Sequence, residues 1–161
     1  MNIVFEQLDP ENFEKARAID RSDIPENFVD TADTIMDITN YGLENGLIGH
    51  TYLIRSDGEY IGLIMIGEAL VWDTDPPQLR EEPFYRLMGF VLDKKCRGQG
   101  IGGEAMEKAI DKVYEDFGVR PIILGCHKDN TRAAEFYIKH GFKKTEFKEG
   151  NDVDYLRYPK K

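Results

Sequence analysis

Long apolar runs, an excess of basic residues and a cysteine framework are all missing from this chain of 161 residues. Its apolar stretches stop far short of the roughly 20 residues that a membrane-spanning helix needs, so no membrane partner is expected. Lys and Arg number 21 against 30 Asp and Glu, which gives a net charge of −9 and a pI near 4.9. A surface of that sign repels phosphate backbones, and no nucleic-acid partner is expected. Two cysteines, Cys96 and Cys126, do not build a disulfide framework, and neither stands at a metal-ligand spacing. Reduced thiols and no metal follow as expectations. The opening residues Met1-Asn2-Ile3-Val4-Phe5-Glu6 carry neither a basic region nor a cleavage pattern, which points to the cytoplasm. Repeats and low-complexity segments are also lacking, so a single domain over residues 1–161 is expected.

What the chain has in abundance is glycine, concentrated at one place. Four glycines (Gly98, Gly100, Gly102, Gly103) fall within six positions, after the apolar run Leu87–Leu92 and directly before a helical pattern. Missing Cβ atoms let a bulky anion approach the main chain. Successive backbone N–H groups then converge at the positive end of a helix dipole, which makes a phosphate site. Arg97 flanks the turn. Gly98, Gly100 and Gly103 fit G-x-G-x-x-G, but the dinucleotide fold wants an acid about 20 positions on. There the chain reads Pro121-Ile122-Ile123-Leu124, which is apolar. A P-loop needs Lys-Ser/Thr after its last glycine, and Glu104-Ala105 stands there instead.

The remaining pattern, Arg97-Gly98-Gln99-Gly100-Ile101-Gly102, resembles the pyrophosphate loop of the GCN5-related N-acetyltransferases, Arg/Gln-x-x-Gly-x-Gly/Ala. A second segment is similar to that family as well: Asn130-Thr131-Arg132-Ala133-Ala134-Glu135-Phe136-Tyr137-Ile138-Lys139-His140-Gly141-Phe142 fits Asn-x-x-Ala-x-x-Phe-Tyr-x-x-x-Gly-Phe. The two together cover residues 88–142.

Periodicity places strands at about Ile3–Leu8, His50–Arg55, Tyr60–Gly67, Phe84–Leu92, Val119–His127, Phe142–Lys148 and Val153–Tyr158. Helices are expected from Asp9-Pro10 to Arg21, Thr31 to Asn45, Gly100 to Phe117 and Asn130 to His140. Asp57-Gly58 marks a hairpin, and Glu68–Pro83, with Pro76-Pro77 and clustered acids, reads as an irregular excursion. The order β-α-α-β-β-β-α-β-α-β-β gives an α/β fold with a mixed, mostly antiparallel sheet flanked by about four helices, which the resemblance also implies.

The resemblance implies acetyl-CoA as cosubstrate and transfer of its acetyl group to a primary amine by direct attack. It implies a cofactor site of Phe90, Val91, Leu92, Arg97, Gly98, Gln99, Gly100, Ile101, Gly102, Gly103, Asn130 and Tyr137. Phe90-Val91-Leu92 would offer main-chain groups to the pantetheine arm, with an oxyanion donor near Val91 or Leu92. Asn130 and Tyr137, seven apart, share one helix face. Tyr137 reads as the general acid for the departing thiolate, or as a core tyrosine; Asn130 as a cofactor partner, or as an ordinary N-cap.

The base for the amine is open among Glu81, a water relay to Glu68, and His127, each of which also reads as a plain surface or packing residue. Glu81 is taken with Tyr137 as catalytic. The acceptor should meet the loop around Pro25 and the Glu68–Phe84 excursion, so Glu26, Phe28, Glu68, Trp72 and Phe84 are candidate substrate residues. Acids with aromatics suit a polycation, and the layout resembles bacterial spermidine/spermine-type acetyltransferases. A solvated rim over an aromatic core, an aminoglycoside or a protein N-terminus would fit the same residues. A non-catalytic acyl-CoA-binding module is the alternative from another class, and a homodimer is left open.

Overall fold

Strands β2 (Gly49–Ser56) and β3 (Glu59–Glu68) are buried along most of their length rather than at every second position. Such strands need cover on both faces. The computed structural model, which describes residues 2–159, supplies it. Tyr52, Ile54, Ile64 and Ile66 face a layer formed by α3 (Ile101–Phe117) and α4 (Thr131–Lys139). Leu53, Leu63 and Met65 face α1 (Phe13–Arg17) and α2 (Ala32–Glu44), which contribute Ala16, Ile35 and Met36. In α3 the residues Ala105, Met106, Ala109, Ile110 and Val113 are fully buried at helical spacing. Each large side chain among them contributes roughly 1.5–3 kcal/mol.

The sheet has seven strands in the order β1-β2-β3-β4-β5-β7-β6. The others are β1 (Ile3–Gln7), β4 (Tyr85–Leu92), β5 (Ile122–His127), β6 (Lys143–Glu149) and β7 (Asp152–Arg157). All neighbours pair antiparallel except β4 and β5. The expected element order is found. The first helix is shorter than the sequence implied, because Asp9 Oδ1 accepts from the N–H groups of Glu11 and Asn12 at 2.8 and 2.9 Å and holds residues 9–12 in a turn. Asp9-Pro10 therefore opens a loop, not a helix.

One irregularity positions everything that follows. Met88 pairs with Met65 and Val91 with Leu63, so Gly89 and Phe90 stand opposite Ile64 alone. This is a bulge, with Gly89 at φ +63°. The extra residue reverses the facing: Tyr85 and Leu87 before it, but Phe90 and Leu92 after it, pack on the α3 side. A bulged strand bends, and β4 keeps its pairing with β5 only at Tyr85–Ile122 and Arg86–Ile123. Beyond Arg86 the two strands part.

Candidate active site

The gap between β4 and β5 opens a cavity of about 790 Å³ that reaches both faces of the sheet. One mouth lies under the glycine loop and α4. The other lies under the loop before α2, the excursion before β4, and β7.

At the first mouth α3 begins on Gly100, at φ +78°, with no side-chain cap on its first-turn amides. A Cβ built on Gly98 or Gly100 meets nothing within 4 Å. Uncapped amides facing open space at a dipole's positive end fit a pyrophosphate. The four glycines are not equivalent. A Cβ on Gly103 would stand 2.6 Å from the His140 ring, and one on Gly102 would stand 3.3 Å from Leu92, so these two let α3 pack closely on its neighbours. Arg132 and Lys139 of α4 also line this mouth.

Arg97 lines the cavity but is engaged elsewhere. Its Nε and Nη2 donate to the Leu92 carbonyl at 3.1 and 3.0 Å, and its Nη1 is ion-paired with Asp23. That guanidinium holds the Asp23 carboxyl below the usual range. Asp93 Oδ2 accepts from the Asp20 N–H at 3.0 Å, so the loop after α1 is pinned to the end of β4. Arg97 thus shapes the turn.

Gln99 is exposed and donates to the Lys95 carbonyl at 3.2 Å; Ile101 is buried in the core. Neither side chain lines the cavity. Phe90, Val91 and Leu92 do line it. Past Arg86 the edge of β4 that faces β5 has no strand partner, and open main chain of this kind can pair with an extended ligand.

Asn130 caps α4, its Oδ1 accepting from the Ala133 N–H at 3.4 Å, and lines the cavity as well. Tyr137 is half-buried on the cavity wall, with Phe136 and Phe142 edge-on at 5.3 and 5.6 Å between ring centres. Burial raises its pKa well above the ordinary tyrosine value, and Cys126 beside it acts in the same direction. The Cys126 thiol is itself pushed up to about 11 by burial. Both groups therefore keep their protons at neutral pH.

The second mouth is made of side chains. Phe28 lines it and stacks on His127 at 4.9 Å. His127 is buried; its Nδ1 accepts from the Asp129 N–H at 3.1 Å, and its Nε2 stands 3.3 Å from the Asn27 amide. Its buried ring packs between these neighbours and does not line the cavity. Trp72 also lines this mouth and lies over the Arg86 guanidinium at 3.5 Å. Arg86 donates to both oxygens of Asp75, at 3.0 and 2.8 Å, in a buried fork-to-fork pair. The Asp75 carboxylate also accepts from the Trp72 N–H at 2.7 Å. The excursion is folded around this pair.

Three expected substrate residues and the expected base fall elsewhere. Glu26 and Glu81 are exposed and off the cavity wall. Phe84 is buried with Leu79, Ile123 and Leu156. Glu68 accepts from Arg120 at 2.7 Å, away from the gap. Proximity in sequence to the loop around Pro25 or to the β4 approach had pointed to these residues, but their side chains turn to solvent, core or a local ion pair. The residues that sequence reasoning missed are Asp152 and Asp154 on β7, which line the cavity with Asp30 and Glu149. Their signal was an i, i+2 pair of acids in a strand, which puts both on one face.

A sheet split between two parallel strands leaves one cavity with open helix amides at one mouth and carboxylates at the other, groups that suit an anionic and a cationic ligand respectively. Residues 13–142 match the Acetyltransferase (GNAT) family, and the chain belongs to that family. It is an acetyl-CoA-dependent N-acetyltransferase. The fold is similar to that of the PaiA N-acetyltransferase from Thermoplasma acidophilum in complex with coenzyme A, at 16% identity and TM-score 0.68, over 99% of this chain and 100% of that one. A putative phosphinothricin N-acetyltransferase is similar at 17% identity and TM-score 0.69, over 99% and 100% of the two chains. A chain of the NatC complex bound to Gag peptide and CoA is similar at 20% identity and TM-score 0.66, over the full length of both. Among the described residues no helix is long and apolar enough to cross a membrane, and no cluster of three or more His, Cys, Asp or Glu could hold a metal ion.

Proposed function

We propose that the protein acetylates a primary amine that arrives as a cation, with polyamines as the first candidates, and that Tyr137 is the general acid. The observation that carries this reading is the opposed chemistry of the two mouths. Arg132, Lys139 and the amides of α3 suit the phosphates, while Asp30, Glu149, Asp152 and Asp154 suit an ammonium group. Trp72 and Phe28 add aromatic faces for cationic methylenes.

Acetyl-CoA, when bound, supplies the activated acetyl thioester. The amides opening α3 hold its pyrophosphate, and the free edge of β4 orients the pantetheine arm. A β4 N–H near Val91 or Leu92 stabilises charge growing on the acetyl oxygen. Tyr137 holds a proton for the departing sulfur. The burial that raises the phenol raises a thiol in the same pocket too, so the transfer stays feasible.

The test is release of the CoA thiol from acetyl-CoA with a panel of polyamines, aminoglycosides, amino acids and peptides at several salt concentrations. Turnover should favour polycations, with kcat/KM falling as salt rises. Turnover confined to neutral or anionic amines would overturn the cationic acceptor and leave acetyl transfer in place.

A further inference from the structure

The acceptor must lose a proton before it can attack, and none of the expected bases stands on the cavity wall. We propose that Asp154 takes the proton from the ammonium group of the acceptor, with Asp152 holding the cation beside it. This rests on the cationic acceptor argued above.

Asp154 is only 6% exposed, yet its Oδ2 has no hydrogen-bond partner. A buried, unpaired carboxylate oxygen is costly unless something fills the place. The carboxylate lines the cavity rather than a closed core. Across the ladder its partner is Gly125, a mid-strand glycine exposed to the gap, so no side chain from β5 covers the carboxylate. A Cβ at Gly125 would lie 3.3 Å from Asp152. The space beside the two acids is therefore kept open by sequence. β7 lies outside the stretch that matches the family, residues 13–142, so family membership says nothing about this position.

The charges that face Asp154 come from four places. Asp75 precedes β4, Arg86 is on β4, Glu149 ends β6, and Asp152 shares its strand. Burial acts most strongly, followed by Asp75, and they outweigh Arg86; the carboxyl titrates at about 6. Asp152 is raised too, by burial first and by Asp30, with His127 opposing. A carboxylate near 6 is ionised at pH 7 and basic enough to accept a proton.

The step balances. R–NH3+ gives one proton to the Asp154 carboxylate and becomes R–NH2. The nitrogen pair forms the C–N bond as the C–S bond breaks with its pair on sulfur. Sulfur takes the Tyr137 proton, the second N–H proton replaces it, and Asp154 passes its own proton to solvent.

The test compares spermidine with an alkoxyamine, which is already neutral at pH 7, in the parent and in Asp154→Asn. For spermidine kcat/KM at pH 7 should fall about 10²- to 10⁴-fold, and the acid limb near pH 6 should disappear. The alkoxyamine rate and acetyl-CoA affinity should change by less than about threefold, and Asp154→Glu should restore part of the spermidine rate. Equal losses with both amines, or an acid limb kept in Asp154→Asn, would overturn the proposal. A parent that acetylates the alkoxyamine but no ammonium substrate would overturn the cationic acceptor and this role together. Should Asp154→Asn not fold, Asp152→Asn reads the same group: removing that neighbouring charge should move the limb to lower pH, and an unmoved limb contradicts the assignment.

Discussion

The two mouths of the cavity are built by different means. Under the glycine loop the surface is mostly main chain: the open amides of Gly100 and the first turn of α3, and the unpaired edge of β4. Facing α2 it is side chains from four separate segments, Asp30 in a loop, Trp72 in the excursion, Arg86 on β4, and Asp152 and Asp154 on β7. A pyrophosphate is held by groups that every residue carries, so the requirement is on backbone conformation and appears as a compact run of glycines. An ammonium group is held by carboxylates, and carboxylates from distant segments leave no run to read. The contrast extends to stability. The first mouth leans on tight helix packing at Gly102 and Gly103, the second on a buried ion pair.

The largest effect should come where the mouths meet. Tyr137→Phe keeps the ring and its contacts with Phe136 and Phe142. Acetyl-CoA should bind as before, while kcat falls by about 10²- to 10⁴-fold. Steady-state kinetics with titration of acetyl-CoA check both, and an unchanged kcat would make Tyr137 a packing residue.

Next is the ion pair beneath the acceptor mouth. Asp75→Ala strands the Arg86 guanidinium in a buried place. A cost of about 3–5 kcal/mol is expected, read by urea unfolding. Acetyl-CoA affinity per folded molecule should hold, since the cofactor mouth is built without this pair.

Asp154 gives a pH signature of similar or smaller size. Its folded pKa, about 6, lies above the ordinary 3.8, so the folded chain binds the extra proton. The stabilising contribution is fully present below pH about 4 and is lost as pH rises through about 6, a change on the order of 3 kcal/mol. Asp154→Asn should therefore flatten this part of the stability profile. Thermal melts between pH 4 and 8 decide it, and parallel curves would contradict the assignment.

The smallest of the four tests the anion cradle. Gly100→Val places a side chain in the left-handed region and into space that no protein atom occupies. The backbone strain costs about 1–2 kcal/mol. Acetyl-CoA affinity should fall about 100-fold, or ~2.7 kcal/mol. Titration calorimetry checks it, and parental affinity would place the phosphates elsewhere.

Helices α2, α3 and α4 were legible because their apolar spacing agrees with their packing, and α4 starts on Asn130 in its reading as an N-cap. The glycine loop was legible as a contiguous motif, though the Gln99 and Ile101 side chains within it do not line the cavity. The bulge at Gly89 was not, since one glycine in an apolar strand says nothing of pairing until β3 is beside it. Nor was the pinning of the loop after α1, where the Asp20 N–H donates to Asp93 and the Asp23 carboxylate pairs with Arg97. Long-range partners decide such roles, and composition is blind to them.

The proposed meeting of acetyl-CoA and the amine from opposite mouths is tested most directly by one crossed experiment. Arg132→Ala and Asp152→Asn alter one mouth each. Both substrates are varied in steady state, with direct titration of acetyl-CoA. Arg132→Ala should weaken acetyl-CoA alone, and Asp152→Asn should raise KM for spermidine alone, with each effect shrinking as salt rises. If both variants shift the same substrate, the two ligands share a mouth, which contradicts entry from opposite sides.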